Sequence, residues 1–204
     1  MRGRIHQISF FVSVPAGIAL IALADGAVAT AAATIYAVSL TGVFAASAAY
    51  HRGNWTPRAR LRMRILDHSM IFVLIAASYT PVSILALEGS WTLVLLSLVW
   101  VGAAAGVVMK IARPDGLSAT TGALYVSMGW VAMIAAPQLI RGLEAPAIVM
   151  LVLGGVLYTA GAIVFALKRP DPRPLVFGYH EIWHSFMVAA SACHFVLVLL
   201  VVTR

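Results

Sequence analysis

Charge is scarce in this chain. Only 10% of its 204 residues are charged and 62% are hydrophobic, whereas soluble domains carry roughly 25% charged residues. That excludes an ordinary soluble domain and leaves a polytopic membrane protein. Acidic side chains are the scarcest, with 7 Asp and Glu against 14 Lys and Arg. The resulting net charge of +7 can mark a nucleic-acid binder. Basic residues flanking membrane helices explain it more simply, so no nucleic-acid partner is expected. Cysteine is almost absent. The single Cys193 excludes an intramolecular disulfide and a thiolate metal site. No segment looks like a cleavable signal peptide, because the first apolar stretch is not followed by a polar mature domain.

Long apolar runs are what the chain has in quantity. A bilayer needs about 20 apolar residues per helix, and seven such segments can be read. They are Gln7–Ala24, Val28–Tyr50, Ile65–Leu87, Trp91–Lys110, Ser118–Pro137, Ala145–Leu167 and His180–Val202. The longest loops, Arg52–Arg64 and Lys168–Tyr179, are too short for a soluble domain. The expected fold is therefore one all-α seven-helix membrane domain over residues 1–204. With the N-terminus in the cytoplasm, one side collects Arg2, Arg4, Arg52, Arg58, Arg60, Arg62, Arg64, Lys110, Arg113, Lys168, Arg169 and Arg173. Only Arg141 and Arg204 fall on the other. The positive-inside rule then places the N-terminus inside and the C-terminus outside.

Ionisable groups within membrane segments are costly and read as functional by default. His180 and His184 stand four residues apart, which puts them on one face of a helix, one turn apart. Neutral imidazole is the commonest transition-metal ligand, and two of them make half of a tetrahedral zinc site. His51 ends the second span and Asp67 opens the third. The charge count puts both at the same membrane level as the pair. His51 is thus the expected third ligand. Ser47, one turn earlier, is expected to hydrogen-bond a ligand or a water. Against this stands the small-residue stripe Ala45–Ala49, which suits close helix packing with an interfacial histidine.

Two readings stand for Asp67. One is a first-turn cap or a surface ion pair near Arg64, favoured by the helix dipole. The other is a group that accepts a proton from water at the metal. His68 points about 100° away on a helix and is expected at the membrane interface. His194, ten residues beyond His184 and turned by about 80°, is expected to be packed rather than ligating. Tryptophans near span ends fit an aromatic belt, and Pro15, Pro81 and Pro137 fit kinks or helix ends.

His180-Glu181-Ile182-Trp183-His184 also matches H-E-x-x-H, in which the Glu is a general base. Pro114-Asp115-Gly116 resembles part of the second motif of intramembrane metalloproteases. In those proteases that motif follows the histidines, whereas here it precedes them. The protease reading is therefore rejected, and Glu181 is expected at the helix surface near the headgroups.

Together, Ser47-x-x-x-His51-Arg52, the run Leu66-Asp67-His68-Ser69-Met70-Ile71 continuing to Tyr79-Thr80-Pro81, and His180-x-x-x-His184 with His194-Phe195 resemble the hemolysin III family. That family is the bacterial branch of the progestin and adipoQ receptor family. The resemblance covers essentially the whole chain. It implies a multi-pass protein of the bacterial inner membrane, with one zinc ion near the cytoplasmic side. It also implies that His51, His180 and His184 bind the zinc, that Asp67 contacts it through a water, and that Ser47 supports the site. The wider superfamily includes alkaline ceramidases, so a zinc-dependent hydrolase of a lipid amide or ester is expected, with a membrane lipid or fatty-acyl substrate. The alternative is a non-enzymatic channel, pore-forming hemolysin or membrane-fluidity sensor with structural zinc. The short N-terminus, unlike the long cytoplasmic extension of the adiponectin receptors, argues against receptor-style signalling.

Overall fold

A computed structural model describes residues 3–114 and 118–204. Arg2 and the Asp115-Gly116 pair lie outside the described residues. The chain forms α1 (Arg4–Leu23), α2 (Gly26–Arg52), α3 (Pro57–Ala86), α4 (Ser90–Ala112), α5 (Ser118–Gly129), α6 (Ala136–Gly142), α7 (Ala145–Leu167) and α8 (Tyr179–Val202), with a 3₁₀ stretch at Val131–Ala135 between α5 and α6. Among the described residues, seven helical segments are long and apolar enough to cross a membrane, the stretch Thr120–Gly142 counting as one. The expected seven-helix membrane fold is therefore present.

Two spans differ most from the sequence reading. The third span begins at Pro57, so most of the expected Arg52–Arg64 loop is helix. Thr56 caps it, its Oγ1 accepting the Ala59 N–H at 3.3 Å, and proline suits the first turn. Hydropathy located where the apolar part starts, but the helix starts two turns earlier, in arginine-rich sequence that is itself helix-forming.

The fifth span is broken rather than continuous. Pro137 lacks the N–H that an unbroken helix would direct to the Met133 carbonyl, and the chain tightens to 3₁₀ geometry after Trp130. Apolar surroundings demand partners for the freed backbone groups. Tyr79 of α3 supplies them: its hydroxyl donates to the Gly129 carbonyl at 2.6 Å and accepts the Ala132 N–H at 3.0 Å.

Successive helices pack side by side from α1 to α4, α5 packs on α7, and α7 packs on α8. α8 then touches α1, α2 and α3, closing the ring. α3 is the most deeply buried span, and α3 and α8 contribute to both apolar clusters of the core. At Gly106 the α4 backbone lies so close to the Phe72 ring that a Cβ would overlap it, the close approach that small residues permit in membrane bundles. At the end of the bundle away from the arginines, the Asp25 N–H donates to the Val202 carbonyl at 2.8 Å. Arg204 there reaches the Gly142 carbonyl at 2.7 Å.

Candidate metal centre

The start of α8 is held by two carboxylates. The first N–H groups of a helix have no partner within it. Here the Gly178 N–H donates to Glu181 Oε2 at 2.9 Å, and the Tyr179 N–H donates to Asp171 Oδ1 at 3.1 Å. Glu181 is only 4% exposed, which corrects the expectation that it lies at the surface. A carboxylate at the third helical position turns back over the first turn, where the dipole favours it. Its other oxygen, Oε1, lies 3.8 Å from His180 Nδ1. The carboxylate of the H-E-x-x-H pattern is thus engaged in capping the helix that carries the histidines.

His180 and His184 project from that first part of α8, and His51 meets them from the last turn of α2. Ring centroids are 4.4 Å apart for His180–His184, 4.8 Å for His51–His180 and 5.3 Å for His51–His184. The three ring planes are inclined to one another by 43° to 74°. One nitrogen from each lies within 4.8 Å of the others. Nitrogens around a tetrahedral ion at 2.0–2.1 Å stand roughly 3.4 Å apart. The donor set, three imidazoles on inclined planes, therefore fits one transition-metal ion.

Ser47 lies one turn before His51 and is buried. Its hydroxyl is hydrogen-bonded to the side chain of Asp67, which is 8% exposed. Because α3 begins at Pro57, Asp67 stands well inside the helix and not in its first turn. The first-turn cap reading of Asp67 is thereby excluded. Through Ser47, the carboxylate is tied to the face of α2 that carries His51.

His68 is half-buried. Its ring lies near Lys110, Arg64 and His180, and its carbonyl accepts the Tyr125 hydroxyl at 2.7 Å. His194 is packed, as expected, its ring centroid 5.4 Å from that of Tyr158 and its edge against Gly154.

One histidine escaped the sequence reading. His6 of α1 is 1% exposed, and its ring stacks on His184 with centroids 3.9 Å apart and planes 11° apart. Taking the first span to start at Gln7 left His6 just outside it. Yet its place beside Arg4 on the basic side put it at the depth of the other site residues, and that signal was available.

An apolar crevice, partly open to the outside, lies within the bundle between α3, α5, α7 and α8. Its walls include Tyr79, Tyr125, Trp183, Met187, His194 and Leu197. Trp183 adjoins His184 in the chain but points about 100° away from it on the helix, and neither the three clustered histidines nor Asp67 line the crevice.

The sequence matches known proteins over nearly its full length. The family profile described as "Haemolysin-III related" matches residues 1–195. Hemolysin-3 of Bacillus cereus is 34% identical over 197 residues, covering 95% of this chain and 87% of that protein. The Hemolysin-3 homolog of Bacillus subtilis (strain 168) is also 34% identical, covering 95% and 89%. The human Monocyte to macrophage differentiation factor is 26% identical over 170 residues, covering 80% of this chain and 67% of that protein.

Proposed function

This chain belongs to the haemolysin-III-related family, and on that premise we propose that it is a zinc-dependent hydrolase of a lipid amide or ester. It works in the bacterial inner membrane, with the arginine-rich end of the bundle in the cytoplasm. The observation that carries the reading is a three-histidine cluster with a buried carboxylate fastened by Ser47 to the helix that carries His51, in a bundle that also holds an apolar crevice. His51, His180 and His184 would hold the ion. A zinc ion bound there would supply Lewis acidity toward a carbonyl oxygen and toward water.

The remaining chemistry falls to the chain. The crevice takes an acyl tail and leaves its carbonyl at the cluster. Asp67 accepts a proton from the water that adds to that carbonyl. It then delivers the proton to the departing amine or alcohol as the C–N or C–O bond breaks. Ser47 holds the carboxylate in place, and the apolar walls keep bulk water out.

A second reading has support of its own. The histidines join α2 to α8, so a structural ion would clamp helices far apart in the chain. The name Hemolysin-3 carried by the Bacillus cereus relative points to a lytic role.

One experiment separates the two. Purified wild type is expected to contain about one zinc per chain by mass spectrometry, and His180→Ala with His184→Ala is expected to contain none. Asp67→Ala is expected to keep its zinc while release of fatty acid from lipid amides and esters falls about 10²- to 10⁴-fold. Zinc-loaded wild type that releases no fatty acid from a broad lipid panel would leave the structural reading standing.

A further inference from the structure

We propose that His6 is a positioning residue of the metal centre, a flat brace that fixes the ring plane of His184 without binding the ion. The inference rests on the reading that the three-histidine cluster holds a metal. It starts from a contrast in geometry. His51, His180 and His184 have ring planes inclined by 43° or more to one another, so their in-plane lone pairs can meet at one point. His6 and His184 are nearly parallel, 11° apart, with centroids at 3.9 Å. An ion lying in the plane of the His184 ring would sit well out of the plane of the His6 ring. Parallel stacked imidazoles therefore do not share an ion at 2.0–2.1 Å from both.

His6 is nonetheless built into the site. It is 1% exposed, with Phe44 of α2 on another side, centroids 5.3 Å apart. The backbone of His184 is also close to its ring, though neither His6 nitrogen makes a hydrogen bond of ordinary geometry among the described residues. Burying a polar ring with so little satisfaction is costly. What meets His184 is the flat face of the ring and not its nitrogens.

The turn before His6 is fitted to a different ligand. Gly3 precedes α1 with φ +77° and sits against His51, where a Cβ would overlap the His51 Cβ. That position needs glycine for both its backbone angle and its contact. The first turn of α1 thus presses on one ligand from α2 with Gly3 and on one from α8 with His6. Residues that orient a metal's ligands change its affinity by about 10- to 100-fold when lost.

The test uses the full-length protein in detergent micelles, with zinc affinity read by chelator competition and geometry read from the visible spectrum of the cobalt(II) form. His6→Phe keeps a flat ring but no nitrogen, and is expected to bind zinc within about threefold of wild type with an unchanged cobalt spectrum. His6→Ala is expected to bind about 10- to 100-fold more weakly, with an altered spectrum. His6→Met fills the space without a flat ring, is expected to behave like His6→Ala, and stands in for it should the alanine variant not fold. Wild-type affinity and spectrum in His6→Ala or His6→Met would overturn the brace. Loss of zinc in His6→Phe as complete as in His51→Ala would overturn it in the other direction, by making His6 a ligand. Failure of wild type to bind zinc would sink the metal centre itself, which is a separate outcome.

Discussion

Glu181 stands between the two histidines of α8 in sequence, and its side chain serves the helix. Glu181→Ala removes the acceptor of the Gly178 N–H and frees the turn that carries His180. Loss of an N-terminal helix cap costs about 1 kcal/mol, so a lower thermal midpoint and weaker zinc retention against a chelator are expected. Glu181→Gln keeps an oxygen for the cap and is expected to retain both zinc and hydrolysis. A general base of the H-E-x-x-H kind would lose hydrolysis in that variant, so fatty-acid release by Glu181→Gln decides the residue's role. At this scale spacing was a good guide where both partners lie on one helix. It paired His180 with His184 and Ser47 with His51. It missed His6, whose partner is 178 residues away in sequence, because helical spacing carries no information about which helices meet.

The broken fifth span shows where reading by element stops. Apolar content marked the segment correctly, and Pro137 was visible as a disruption. Hydropathy is blind to backbone hydrogen bonding, however, and the groups that stabilise the break are on Tyr79, about 50 residues earlier. Tyr79→Phe leaves the Gly129 carbonyl and the Ala132 N–H without their partner in apolar surroundings. Each such loss costs about 1–3 kcal/mol. The expected result is a clearly lower unfolding midpoint in micelles with zinc content unchanged, since Tyr79 does not touch the histidines. An unchanged midpoint would mean that water or lipid satisfies the break instead. The start of α3 teaches the same lesson from the polar side. Thr56-Pro57 is a helix-start signal, but a search for apolar runs passes over it.

For the whole molecule, composition and charge placement were enough to find seven spans and to group His51, Asp67, His180 and His184 at one end of the bundle. The same charge count fixes the proposed orientation, and it can be checked directly. A phosphatase that is active only outside the cytoplasm is expected to be active when fused after Arg204 and inactive when fused in the Lys168–Tyr179 loop. The reverse pattern would invert the bundle and put the histidine cluster at the outer face. The connectivity of that cluster bears on how the protein is made. Its rings come from α1, α2 and α8, the first two helices to leave the ribosome and the last. A nascent chain carries His6 and His51 through the insertion of four further spans before His180 and His184 arrive. On the proposed reading, metal capture would be a terminal event of biogenesis, available only to a chain translated through its last helix and closed into its ring; a product truncated before α8 has no three-histidine cluster.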